Sequence, residues 1–120
     1  MATLNVGKDF SEDPLGRYLT DSPTSGEAFR EGVLKPALLR LGPQEKLLII
    51  LDDGVESYGS SFLTEGFAGL VKYGYFKNKE LLDLLEFKFT DPDFRFYRDK
   101  IVEYISDAKY KSEEYIPKSR

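Results

Sequence analysis

The chain has 120 residues, 41% of them hydrophobic and 32% charged, which fits one soluble globular domain with a single core and leaves no room for two. The net charge is −4, and residues 91–120 hold equal numbers of acids and bases, so no basic face for nucleic acid is expected. With neither Cys nor His, the chain cannot build a disulfide framework, a thiolate nucleophile, a cysteine-ligated zinc site or its own Ser-His-Asp triad.

No basic region followed by an apolar one is read at the start, so no signal peptide is predicted and a cytoplasmic protein without a membrane partner is expected. Residues 2–6 alternate in polarity and predict a first strand at a sheet edge. From 7 to 24 the chain is polar and broken by Asp13-Pro14, Gly16 and Asp21-Ser22-Pro23, the pattern of an exposed loop. Within it, Arg17-Tyr18-Leu19-Thr20 is predicted as a short second strand, paired with the first in a hairpin. Thr24-Ser25-Gly26-Glu27 has the spacing of a capping box, its hydroxyl bonding forward and Glu27 reaching back. The helix it opens has Phe29, Val33, Leu34, Ala37, Leu38 and Leu41 on one face. Pro36 predicts a kink or one unpaired carbonyl, and Gly42-Pro43 ends the helix.

Leu47-Leu48-Ile49-Ile50-Leu51 is too short to cross a membrane and apolar enough for burial on both faces. That is the pattern of a central strand in a covered, largely parallel sheet. After the turn Asp52-Asp53-Gly54, a helix is predicted from about Ser60 to Tyr73, with Leu63, Phe67, Leu70 and Val71 facing inward. Gly66 and Gly69 on this helix are read as points of close backbone packing. Gly74 ends it, a short amphipathic helix follows over 79–85, and residues 86–90 alternate as a strand. Asp91-Pro92-Asp93 starts a last helix whose stripe is Phe94, Tyr97, Ile101, Tyr104, Ile105 and Ala108. Residues 113–120 are expected to fray. The order of elements predicts an α/β fold: a small single-domain sandwich over 1–120, with helices covering a mixed sheet of about four strands.

Open α/β sheets meet their ligands at the carboxyl ends of their strands, which puts the candidate site just after the aliphatic run. Ser60 and Ser61 are read as the cap and first turn of the helix. They either cap it and no more, or sit at a site for an anion or a phosphoserine switch, because a helix N-terminus offers unpaired N–H groups and a positive dipole end. Asp52, Asp53 and Glu56 carry oxygen ligands for Mg²⁺, but their closeness in sequence favours a plain Asp-Gly turn. Arg17 and Arg30 are secondary candidates, for an anionic ligand or for ion pairs. No base, nucleophile and oxyanion set is visible, so no enzyme, metal or cofactor is expected.

Glu56-Ser57-Tyr58-Gly59-Ser60-Ser61-Phe62-Leu63-Thr64-Glu65-Gly66-Phe67-Ala68-Gly69-Leu70-Val71 resembles the signature of the STAS-like domains of unknown function; STAS denotes the sulfate transporter and anti-sigma-factor antagonist domain. Gly16-Arg17-Tyr18, Ser25-Gly26-Glu27-Ala28-Phe29-Arg30 and Val33-Leu34-Lys35-Pro36-Ala37-Leu38 extend the similarity over roughly residues 8–90. The resemblance implies a sheet of about four strands with helices packed on it. In anti-sigma-factor antagonists the equivalent turn reads Asp-Ser-Ser-Gly, and a kinase-type partner phosphorylates the second serine. Here Gly59 stands at the aspartate position, Ser60 and Ser61 at the serines and Phe62 at the glycine. The resemblance therefore implies a non-enzymatic regulatory module that binds a protein partner, a histidine-kinase-type ATPase. The contact is expected at Gly59, Ser60, Ser61 and Thr64, within residues 59–65, under the control of serine phosphorylation. The alternative is a small-molecule, nucleotide or anion sensor that uses the same helix N-terminus.

Overall fold

The aliphatic run sets the centre of the molecule. In the computed structural model, which describes residues 2–118, Leu47–Ile50 form the middle strand (β2) of a three-stranded sheet, between Ala2–Asn5 (β1) and Leu85–Lys88 (β3). Both pairings are parallel, with Leu4 opposite Ile49 and Ile49 opposite Phe87. Residues in register share a face of the sheet. Leu4, Leu47, Ile49 and Leu85 are buried on one face, while on the other Thr3, Glu86 and Lys88 are exposed and Leu48 and Ile50 only half-buried. The expectation of a central strand buried on both faces is thus corrected: one face is closed and the other partly open.

β1 is an edge strand, as predicted, but residues 17–20 form no strand. The sheet has three strands among the described residues rather than about four, and is parallel rather than mixed. Asp21 supplies the reason. Its carboxylate accepts from the N–H groups of Arg17 (3.2 Å) and Tyr18 (2.9 Å), and its own N–H donates to the Tyr18 carbonyl at 2.8 Å. Local side-chain bonds of this kind curl the segment and take the backbone groups a ladder would need.

Helix α1 covers residues 26–39 and α2 residues 60–72. Each is α-helical at its ends with a π turn between, Arg30–Leu34 in α1 and Thr64–Ala68 in α2. Phe29 and Leu34, like Phe62 and Phe67, are five positions apart and wholly buried. On a regular α-helix such pairs point about 140° apart; the wider i→i+5 turn brings them to one side. In α1 the π turn comes just before Pro36, with the Lys35 N–H bonded back to the Arg30 carbonyl. The helix accommodates the proline with a widened turn just before it. Ser25 is the cap, accepting from the Ala28 N–H at 3.2 Å, while the Thr24 hydroxyl donates to the Asp13 carbonyl at 2.8 Å. The predicted capping box is therefore replaced by a single serine cap, and Glu27 is free to bond elsewhere.

Helix α3 is Asn78–Leu84, and α4 is Arg95–Asp107, entered through a 3₁₀ turn at Pro92–Phe94. As predicted, the Asp91 carboxylate caps that entry, accepting from the Asp93 N–H at 2.9 Å. α2 packs between α1 and α4, and α4 against α3. The tail, expected to fray over 113–120, has no helix or strand through 118. Even so, the Glu113 N–H donates to the Lys72 carbonyl at 3.1 Å. Residues 119–120 lie outside the described residues.

Gly26 and Gly66 let α1 and α2 touch backbone to backbone. A Cβ on Gly26 would lie 2.6 Å from the Phe62 carbonyl oxygen and 2.8 Å from the Gly66 nitrogen. Gly26→Ala should therefore cost about 1–3 kcal/mol through overpacking. Gly32→Ala, which meets nothing within 4 Å, should instead stabilise by about 0.4–1 kcal/mol. Urea denaturation of the two variants checks the contrast, and equal shifts would contradict it.

Candidate functional site

The start of α2 carries the serines. Gly59, not Ser60, is the N-cap residue, with backbone in the extended region, and it has no side chain to occupy the first-turn N–H groups. Ser60 and Ser61 are thus the first two helical residues, one position later than predicted. Gly59 and Ser60 are exposed and Ser61 is half-buried. Phe62, at the position where the anti-sigma turn has glycine, is wholly buried between Phe29 and Tyr58, with ring centroids 5.4 and 5.9 Å away. That anchor fixes the helix start, and Tyr58 is itself tied to the strand end by a 2.6 Å bond from its hydroxyl to the Leu51 carbonyl. Burial pushes the Tyr58 hydroxyl well above the ordinary tyrosine pKa.

Arg17 reaches this helix start from the long loop. Its Nη2 donates to the Ser61 hydroxyl at 3.3 Å, and its Nη1 lies 3.8 Å from the Glu65 carboxylate. Thr64, by contrast, turns its hydroxyl back onto the Ser60 carbonyl at 2.7 Å. The acidic turn is occupied with holding the strands: Asp52 accepts from the N–H groups of Thr90 and Asp91 at 2.8 and 2.7 Å and from the Thr90 hydroxyl at 3.1 Å. Asp53 accepts from the Asn5 amide at 2.8 Å, with Lys8 at 3.4 Å. The Asn5 hydrogen bond, followed by the Lys8 charge, holds the Asp53 carboxyl below its usual range.

One turn further into α2 lies a buried polar cluster that sequence reasoning had entered only through Arg30. Glu65 and Arg30 are both 0% exposed and face each other where the two π turns meet. Arg30 Nη1 donates to the Glu65 carboxylate at 2.9 Å and to its backbone carbonyl at 2.8 Å. Lys72 Nζ (3.1 Å) and the Tyr73 hydroxyl (2.5 Å) complete the shell around Glu65. Gly69 makes room for the guanidinium, since a Cβ there would sit 2.6 Å from Arg30 Nη1. Burial pushes the Glu65 carboxyl up, but the bonds from Tyr73 and Lys72, the Lys72 charge and the Arg30 bond outweigh it and hold it below the usual carboxylate range. Burial lowers Arg30 in the same way, and its bonds to Glu31 and Glu65 reverse the direction.

Glu27, Glu65, Lys72, Tyr73 and Tyr115 were not singled out from sequence as site residues. Glu65 had a readable signal: an acid on the inner side of an apolar helix, with Gly66 beside it and Gly69 one turn on. Glu27 was read as a cap arm; it is instead wholly buried and bonded by the loop and the tail. The structure brings Arg17, Ser61 and Arg30 together around Glu65, and it commits Asp52 and Asp53 to other bonds.

Residues 25–94, from the Ser25 cap to the 3₁₀ turn, match the model of a family described as a STAS-like domain of unknown function, and the chain belongs to that family. The match includes Arg30, the serines and Glu65, and leaves Gly16-Arg17-Tyr18 and the tail outside it. No curated protein and no solved structure matches the chain. No helix among the described residues is long and apolar enough to cross a membrane.

Glu65→Gln removes the fully buried one of the two carboxylates paired with Arg30, leaving Glu31 at 2.7 Å, and should cost about 3 kcal/mol, against less than about 1 kcal/mol for Arg17→Ala at the rim. Because the folded-state pKa of Glu65 is depressed, its contribution is fully present above the ordinary carboxylate value, 4.5, and is lost as pH falls through the folded value. Urea titrations across this acid range should therefore show a steeper loss of stability in wild type than in Glu65→Gln.

Proposed function

We propose that the chain is a non-enzymatic regulatory module that binds a protein partner through residues 59–65 and is switched by phosphorylation of Ser61. One observation carries this reading: the Ser61 hydroxyl accepts from Arg17 at the start of α2, beside exposed Gly59 and Ser60. A phosphate on Ser61 would add nearly two negative charges next to an arginine and the first-turn N–H groups, which suit an anion. The fold would tolerate the modification, while the surface presented to a partner would change sign locally. Gly59, Ser60 and the outer edge of Thr64 supply the contact, and Phe62 below them keeps the helix start rigid. Membership of a STAS-like family supports a regulatory role, and the proposed partner, an ATPase of the histidine-kinase type, is taken from the resemblance to anti-sigma-factor antagonists. The bonds that occupy Asp52 and Asp53 argue against a metal-dependent enzyme at this strand end.

The same Arg17–Ser61 contact supports a second reading, an anion or nucleotide sensor at the helix start. Immobilised wild type, Ser61→Ala and Ser61→Glu chains should separate the two. A histidine-kinase-type ATPase should be recovered on wild type and Ser61→Ala and depleted about tenfold or more on Ser61→Glu. Equal recovery on all three baits overturns the switch. A rise in Tm with millimolar phosphate or nucleotide, without such a partner, selects the sensor.

A further inference from the structure

Residues 109–118 lie on the domain without helix or strand, turning at 109–112, and Tyr115 is the one residue among them that is not exposed. Its ring faces the Arg30 guanidinium, 4.8 Å from the ring centroid, and lies 5.4 Å from the Tyr73 ring. Arg30 also covers Tyr73, at 4.6 Å, so the tail ring enters a slot already walled by a cation and an aromatic face. At its end is Glu27, 0% exposed. One Glu27 oxygen accepts from the Leu19 N–H at 2.9 Å. The other is met by the tail: the Tyr115 hydroxyl donates to it at 2.6 Å and the Lys118 N–H at 3.0 Å. Pro117 sits between the two donors and pre-sets the backbone that presents them.

This is recognition of a short linear segment: one aromatic anchor and one buried carboxylate that reads a hydroxyl and a backbone N–H, with the N–H groups of Lys111 and Glu113 bonded to the Val71 and Lys72 carbonyls. We propose that Glu27, Arg30 and Tyr73 form a peptide-docking slot, closed in cis by the chain's own residues 109–118 and open to a tyrosine-bearing segment of a protein partner when they leave. The slot retains a binding capacity that the tail does not use. Arg30 Nη2 is buried and has no hydrogen-bond acceptor among the described residues. An incoming segment that adds a carbonyl or carboxylate to its tyrosine gains a bond the tail does not make. A segment held by one half-buried ring and a few backbone bonds at its exposed residues opens at a lower cost than the core. Tethering supplies an effective concentration in the millimolar range, so even a weak intrinsic contact stays closed until a partner competes.

The slot lies apart from the Ser61 surface, and its test needs no partner. The full-length Tyr115→Ala chain is followed by hydrogen exchange and titrated with a fluorescent synthetic peptide of residues 109–118. Three results are expected: α1 and α2 protected as in wild type, residues 109–118 exchanging freely, and peptide binding with Kd between about 10 μM and 1 mM. Wild type, with its slot filled, should bind at least about tenfold more weakly, as should the Tyr115→Phe peptide on the Tyr115→Ala chain. A folded Tyr115→Ala chain that binds no peptide, or a tail that stays protected, overturns the proposal. If Tyr115→Ala does not fold, Tyr115→Phe decides. Faster exchange confined to the tail supports a separable clasp, and unchanged or global exchange refutes it.

Discussion

The contact between Glu65 and Arg30 is the constraint around which the helical layer is arranged. Two opposite charges without solvent cost several kcal/mol each to bury, and that cost is offset only when geometry and hydrogen bonding are nearly complete. The sequence meets the requirement with features that have no other evident purpose. Gly69 clears the space the guanidinium fills, and Gly26 and Gly66 bring the helices close enough for the pair to form. Lys72 and Tyr73, at the end of the same helix, saturate the carboxylate. A buried pair of this kind is a weak source of net stability, but it is a strong discriminator between one helix register and another, since any other register strands a charge.

From that pair the polar network runs outward in two directions. Toward the sheet end, Arg17 joins Glu65 to Ser61 at the exposed start of α2. Toward the tail, Arg30 stacks on Tyr115, whose hydroxyl meets Glu27, and Glu27 in turn holds the Leu19 backbone in the loop that carries Arg17. The Glu27 N–H also donates to the Arg17 carbonyl at 3.0 Å. A single loop is therefore bracketed by the helix start on one side and the tail on the other, so a displacement at either end bears on the same few bonds.

Much of the architecture was legible in the sequence because it rests on strong local signals. The aliphatic run at 47–51, the Asp91-Pro92 helix start and the glycine at 74, which adopts φ +84°, mark elements whose chemistry has few alternatives. The misreadings came where a local bond outcompeted a pattern. Asp21 turned a four-residue alternation into a turn, and Ser25 rather than Thr24 took the cap because Thr24 was engaged by Asp13. The candidate site was half legible. Ser60, Ser61, Arg17 and Arg30 could be named from position and charge. Glu65 was missed despite its neighbouring glycines because a π turn alters which residues face inward and a regular period of 3.6 does not reveal it, and Glu27 because its spacing from Thr24 fitted a cap arm.

The paired π turns also bear on how this chain can change length. Insertions and deletions are ordinarily absorbed by surface loops. Here α1 and α2 each contain a widened turn that takes up one residue more than an α turn and keeps the residues before and after it on one face. One residue removed from a widened turn would restore an ordinary α turn and keep the phase, whereas one removed from a regular stretch of either helix would rotate its two parts by about 100° against each other and carry Arg30 or Glu65 away from its counterpart. A change of one residue in these helices is therefore absorbed at the widened turns and disrupts the charge pair elsewhere. A relative one residue shorter in either helix is expected to have lost its widened turn and kept the pair.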